Sequence, residues 1–261
     1  MTSVLLIGTG RAAFHLGHAL RRAGLPLVGV VGRDMDHASA LAEPLHTNAF
    51  RLGDALPPND LRLIAVSDDA IPEVAAQLPK SDAVTAHVSG SKPFTLLGGH
   101  AHRGVLWPIQ SLSPGGPIDL SGVPLVIEGE DDRARGVLGE VARTLSRTVV
   151  ELPYEQRQLL HVAAVLASNF PVLLLQEAQR LLAQNGLSPE LVLPLWTATT
   201  AKAAQDATDA LTGPARRGDV GTMHQHLARL TIDSDLRRAY AVLSDLILKT
   251  WHPHLREQQD L

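Results

Sequence analysis

The sequence predicts an α/β fold with a mainly parallel sheet, followed by an all-helical domain. Three observations carry this. Short β-branched runs alternate with helix-length stretches up to residue 152, no convincing strand follows Pro153, and 261 residues are enough to bury a sizeable core. The expected strands are Val4–Ile7, Val28–Val31, Leu63–Val66, Val84–Val88, Val105–Trp107, Val123–Ile127 and Thr148–Leu152. Between them, Ala12–Ala23, Met35–Ala42, Ile71–Leu78 and Arg133–Leu145 space their apolar residues at helical intervals. Strands joined by helices of this length form βαβ units with right-handed crossovers.

Beyond Pro153, helical patterns run through 155–184, 189–210, 220–230 and 233–250. Asn185-Gly186 stops the first. Ser188-Pro189 starts the second as an N-cap followed by proline at the first helical position, and Leu211-Thr212-Gly213-Pro214 ends it. The expected division is 1–152 and 153–261.

Composition narrows the function. Hydrophobic residues are 45% and charged residues 19%, the balance of a globular chain. Twenty-three Lys+Arg against 27 Asp+Glu leave a net charge of -4, which speaks against nucleic acid, and no polybasic tract suits an anionic membrane. The absence of cysteine excludes disulfides, thiolate metal sites and cysteine catalysis. A soluble cytoplasmic protein is expected. The opening MTSVLLIGTG is apolar but lacks a basic start and runs into glycines, unlike a signal peptide. From Gln158 to Gln176 no residue carries a formal charge, nearly enough to span a bilayer. His161, Ser168, Asn169 and Pro171 interrupt the run, and a buried central helix is expected there, with no membrane contact.

Gly8-Thr9-Gly10-Arg11-Ala12-Ala13 fits G-x-G-x-x-G/A between a strand and an amphipathic helix, the setting of a Rossmann-like domain. Gly8 permits the tight turn and Gly10 lets the main chain approach a pyrophosphate. The helix N-terminal amides then face its charge. Gly8, Thr9, Gly10, Arg11 and Ala12 are the expected diphosphate contacts; the alternative is a glycine turn that binds nothing. An NAD site expects an acid at the end of the second strand. Here Val30-Val31 is followed by Gly32-Arg33-Asp34, and the Arg33 guanidinium suits a 2′-phosphate, which favours NADP. In the other reading Arg33 is solvated and Asp34 caps the helix at Met35, where it can also reach the ribose.

Ligands of such folds lie outside the carboxyl ends of the strands. After Val66, Ser67 and Asp68 are expected at the nicotinamide ribose, or else as caps of the next helix. In His87-Val88-Ser89-Gly90-Ser91-Lys92-Pro93, alternation sets His87 and Ser89 on one face. They are expected to bond the carboxamide and a substrate oxygen, or to form a turn and cap.

On the uncharged helix, His161, Val165 and Ser168 align at i, i+4 and i+7, with Asn169 one step aside. Such polar groups need partners if buried. They either satisfy neighbouring helices or a dimer contact, or they meet a substrate. In the second reading His161 donates a proton, because hydride delivery leaves negative charge on the acceptor heteroatom, and Asn169 orients the carbonyl or amine. Ser168 and Gln110 join Ser89 as expected substrate contacts. Lys202 is a weaker candidate. Arg216 and Arg217 can clamp an anion, while Asp219 reads as the N-cap of the following helix. His224 and His226 project to different sides, and no metal site is expected.

These residues resemble a family of NADP-dependent oxidoreductases that join a Rossmann-like domain to a helical domain of uncharacterised function. The family is distantly similar to pyrroline-5-carboxylate reductase, prephenate dehydrogenase and 3-hydroxyisobutyrate dehydrogenase. The resemblance rests on Gly8–Ala13, His87–Gly90, Trp107-Pro108-Ile109-Gln110-Ser111, His161 with Ser168-Asn169-Phe170, and Leu211–Pro214 with Arg217-Gly218-Asp219. It implies NADP binding and a homodimer built on the helical domains. Two departures stand out: Trp107 sits where members often carry histidine, and Val165 where the hydroxyisobutyrate enzymes carry a catalytic lysine. The expected function is hydride transfer between NADP and a small carbonyl, imine or hydroxy-acid substrate lying between the domains. The alternative is a non-catalytic NADP-binding sensor.

Overall fold

Eight strands form one sheet in the computed structural model, which describes residues 1–230 and 234–256. They are β1 (Val4–Ile7), β2 (Leu27–Gly32), β3 (Ala49–Arg51), β4 (Leu61–Ile64), β5 (Val84–His87), β6 (His102–Pro108), β7 (Leu125–Gly129) and β8 (Val149–Glu151). Their order is β3-β2-β1-β4-β5-β6-β7-β8. Every pairing is parallel except β6 with β7. The expected α/β class and mainly parallel sheet are therefore present. The strand missed in the sequence is β3, Ala-Phe-Arg, which carries no β-branched residue to mark it.

Helices α1 (Arg11–Arg22), α2 (Met35–Ala42), α3 (Ile71–Gln77) and α4 (Asp132–Leu145) connect the strands. Along β1 the side chains divide by parity. Val4 and Leu6 join a core with Leu16 and Leu20 of α1 and Val141 of α4, whereas Leu5 and Ile7 pack with Ile71 and Val74 of α3. Burying both faces is what fixes the sheet, at about 2 kcal/mol for each large aliphatic side chain. After α1 the chain pairs β2 on one side of β1, then crosses to place β4 on the other. That reversal opens a crevice at the carboxyl ends of β1 and β4.

The long helix α5 (Tyr154–Gln184) follows β8. Then come α6 (Leu193–Ala203), α7 (Ala207–Ala210), α8 (Pro214–Arg217), α9 (Val220–Arg229), α10 (Ser234–Trp251) and α11 (Pro253–Arg256). The single pattern expected over 189–210 is divided: a 3-10 turn over Pro189–Val192 precedes α6, and Asp206 caps α7 by accepting from the amides of Thr208 and Asp209. Asp233, the expected start of the last pattern, lies outside the described residues. The chain forms two compact units, Met1–Ser168 and the part from Asn169 onward, so the units part within α5, beyond the expected boundary at the end of the last strand.

The expectation of a buried α5 is overturned. Arg157 is its one fully buried residue, and no residue of its apolar window is buried, although Leu160 and Ala164 pack against the sheet beside Trp107. Leu159, Val162, Leu166, Phe170 and Leu173, at three- and four-residue spacing, form an exposed stripe, with Leu159 72% accessible. The helix is apolar on every side, and one chain covers only part of its circumference.

Candidate functional site

The glycine loop occupies the crevice. Gly8 follows β1 with φ +121°, a conformation that side chains rarely adopt. A Cβ there would also stand 2.3 Å from the Ala65 carbonyl oxygen, so only glycine passes this point. Gly10 differs: with φ -83° and ψ -174° it caps α1, and a Cβ on it would meet no atom within 4 Å. Nothing in the fold demands a glycine there; the open space above it suits a ligand lying against the main chain. The first-turn amides of α1 have no intrahelical acceptors and aim the positive end of the helix dipole at that space. A dinucleotide diphosphate therefore fits these residues.

A cavity of about 530 Å³ brings the expected contacts together: Gly8, Thr9, Gly10, Arg11, Ala12, Arg33 and Ser67 all line it, along with Leu112 from the loop after β6. The end of β2 lies on the cavity wall. Arg33 faces the cavity, and Asp34, also on its wall, accepts from the His37 amide at 3.0 Å as the N-cap of α2. That hydrogen bond holds the Asp34 carboxyl below its usual range. Gly32 explains the missing acid. A Cβ there would lie 2.9 Å from Thr9 Cγ2 and 3.1 Å from Ala38 Cβ, which leaves no room for a carboxylate side chain.

Three residues expected at the nicotinamide or substrate bond one another at the loop after β5. His87 is fully buried. Its Nδ1 accepts from the Ser89 amide at 3.2 Å, and its Nε2 donates to the Pro93 carbonyl at 3.3 Å. These bonds select the neutral ring, and burial pushes its pKa down to about 4. Asp68 accepts from the hydroxyls of Ser89, at 2.9 Å, and Ser91, at 2.8 Å. His87, Asp68 and Ser89 thus shape the loop after β5, and none of the three lines the cavity beside the glycine loop. Alternation assigns a face to a side chain but does not reveal what already fills that face.

Sequence reasoning missed the group that holds this loop from its other side. Arg157, in the first turns of α5, is fully buried. Its Nε and Nη2 donate to Glu128 Oε2 on β7, at 3.2 and 2.7 Å. Nη1 donates to the carbonyls of Ser89 and Gly90, at 3.0 and 2.8 Å, and Nη2 also donates to that of Lys92, at 2.8 Å. Tyr154 Oη donates to the remaining carbonyl, Ser91, at 3.4 Å. One signal was available: Arg157 is the last charge before the uncharged run.

One turn beyond Arg157, His161 lies against Gly90 and Trp107, its ring 5.5 Å from the indole and tilted by 50°. A Cβ on Gly90 would come within 2.4 Å of Trp107 and 2.8 Å of His161, so this glycine makes room for both rings. Trp107, where the resemblance suggests histidine, is buried packing. Ser168 returns its hydroxyl to the Ala164 carbonyl at 2.7 Å, and Asn169 and Gln110 are exposed. In the second unit, Lys202 is exposed on α6, Arg216 stacks over Trp251 at 5.0 Å, and Asp219 caps α9 through the Thr222 amide.

A domain of unknown function, DUF2520, matches residues 123–247. No curated protein matches the sequence. Among solved structures, a Bacteroides fragilis protein provisionally assigned as an NADP oxidoreductase shares 32% identity and a TM-score of 0.84, over 94% of this chain and 97% of its own. A pyrroline-5-carboxylate reductase from Coxiella burnetii is 15% identical with a TM-score of 0.58, covering 97% of this chain and 98% of its own. A reductive aminase from Aspergillus terreus, in complex with NADPH and ethyl-5-oxohexanoate, is 16% identical with a TM-score of 0.67, over 96% and 94%. The last two share the fold.

Proposed function

The chain belongs to the family of NADP-dependent oxidoreductases that join a Rossmann-like domain to a helical one, and from that premise we propose that it transfers hydride between NADP and a small carbonyl, imine or hydroxy-acid substrate. The observation that carries this reading is the open space above Gly10, walled by Arg33 and capped by the N-terminus of α1.

The coenzyme, when bound, supplies the hydride. The amides of Gly10, Arg11 and Ala12 bind its diphosphate, and Arg33 meets the 2′-phosphate with charge-assisted hydrogen bonds. Ser67 lines the same cavity beyond the end of β4 and would hold the ribose. His161 gives a proton to the substrate heteroatom as negative charge develops, while Asn169 orients the reacting group and Ser168 and Gln110 lie in the substrate region. The pyrroline-5-carboxylate reductase and the reductive aminase among the structural neighbours support this choice of substrate class.

The exposed stripe of α5 supports a second part of the proposal, a homodimer through this helix. Five large apolar side chains along one helix face are more than a solvated surface ordinarily shows.

Titration with NADPH and NADH tests the cofactor reading. NADPH is expected to bind more tightly, and Arg33→Ala to weaken it roughly 10- to 100-fold while sparing NADH. Equal affinities that do not respond to Arg33→Ala would remove the phosphate role. A panel of carbonyl and imine substrates, followed by loss of NADPH absorbance, tests the reaction. Tight NADPH binding without turnover of any substrate would overturn the catalytic reading.

A further inference from the structure

We propose that Arg157 is a positioning residue for hydride transfer: it locks the Ser89–Lys92 loop and, one turn along the same face of α5, sets His161 against it. This rests on the reading of His161 as the proton donor.

The inference comes from how the guanidinium is used. Arginine has five N–H groups in a planar fork, and all five are engaged here, two with Glu128 and three with main-chain carbonyls of one loop. Joining helix to sheet would need only the Glu128 pair. The three loop bonds do something else: with Tyr154 on Ser91, they draw every carbonyl from Ser89 to Lys92 toward α5. Asp68 holds the two serine hydroxyls of the same loop. The loop is thereby fixed by both its main chain and its side chains. It leaves β5 at the carboxyl edge of the sheet, where ligands of this fold lie.

His161 inherits that order. It stands four residues after Arg157, on the same helix face, and presses on Gly90, whose carbonyl Arg157 holds at 2.8 Å. A loss of the Arg157 fork would release both the loop and the surface against which the imidazole rests. Lysine, with a compact ammonium and no fork, cannot bridge the three carbonyls and Glu128 together.

The test compares the parent protein with Arg157→Lys and with the double variant Arg157→Met/Glu128→Gln, which leaves no unpaired buried charge and so protects folding. Three quantities are measured: NADPH affinity, amide hydrogen exchange, and kcat and KM for the best substrate of the panel. In both variants NADPH affinity is expected to stay within about twofold, because the Gly8–Ala12 loop is untouched. Exchange at Ser89–Lys92 is expected to rise while β1 and β4 keep their protection. Turnover is expected to fall about 100-fold in kcat with little change in KM, the size of effect that follows a misplacement near 1 Å. Unchanged loop exchange, or unchanged kcat, would overturn the positioning role. Protection lost evenly over the whole sheet would also overturn it, because Arg157 would then serve stability alone. A parent that binds no NADPH refutes the oxidoreductase reading separately, and the exchange data still report whether the loop depends on Arg157.

Discussion

Gly8 and Ala65 meet where the sheet reverses its order: a Cβ on Gly8 would stand 2.3 Å from the Ala65 carbonyl oxygen. Gly10, two residues on, has no neighbour to exclude. The two glycines of one motif thus differ: the fold demands the first and leaves the second open. Gly8→Ala is expected to cost about 3 kcal/mol or more, from a disfavoured φ and a main-chain clash. Gly10→Ala is expected to cost no more than about 1 kcal/mol, the scale of a cap substitution, yet to weaken NADPH roughly tenfold or more. Thermal unfolding and coenzyme titration of the two variants check this. Full NADPH affinity in Gly10→Ala would refute the diphosphate role of the loop.

Gly32 makes a second prediction, against the usual expectation for changing coenzyme preference. An acid at the end of β2 is the ordinary device for holding the ribose of NAD. Here the new side chain would press on Thr9 Cγ2 and Ala38 Cβ. Gly32→Asp is therefore expected to lose about 1–3 kcal/mol of stability without gaining NADH affinity. A melting temperature like the parent's, together with tighter NADH binding, would show that the crevice can accommodate the change.

Much of this architecture was legible because parallel strands buried on both faces leave near-continuous apolar runs. Val4–Ile7 and Leu125–Ile127 are such runs, and Ala49–Arg51, without a β-branched residue, is not. The glycine loop was legible because its chemistry is local: strand end, turn and helix start lie within a few residues. The loop after β5 was not. Asp68 reaches Ser89 across 21 residues, Glu128 meets Arg157 across 29, and Arg157 reaches Ser89 across 68. No periodicity encodes such pairings, so the bonds that tie His87 and Ser89 into this loop could not be read from the sequence. The uncharged run of α5 told of a helix wanting cover, without telling that the Leu159–Leu173 stripe stays exposed on the chain.

His87 gives the fold an acid-sensitive point. Burial holds its pKa near 4, and its Nδ1 accepts from the Ser89 amide, an arrangement that protonation destroys. The unfolded chain, with an ordinary histidine near 6.5, binds the proton first. Stability contributed by the neutral ring is therefore intact above about pH 6.5 and declines as the pH falls toward 4, by about 3 kcal/mol in all. His100, also lowered chiefly by burial, adds to the same slope. Replacing His87 with asparagine is expected to flatten the slope between these limits while lowering stability at neutral pH. Denaturant midpoints measured from pH 7.5 to 4 check it, and an unchanged slope in the variant would assign the acid limb elsewhere.

The last prediction concerns what covers α5. Leu159, Val162, Leu166, Phe170 and Leu173 run along the helix at the three- and four-residue spacing of a helix–helix contact, and all are exposed. Arg157 and His161 lie on a different face, engaged with the sheet unit, so the stripe can be altered without touching them. Light scattering of the parent is expected to give twice the mass of one chain. Val162→Glu/Leu166→Glu is expected to give the single mass, because two carboxylates would be desolvated at the contact. NADPH affinity should persist, since neither residue lines the Gly8–Arg33 cavity. A parent of single mass would remove the dimer proposal. Flotation of that parent with lipid vesicles would then identify a membrane surface as the occupant, although His161 and Pro171 within the helix argue for a second protein chain.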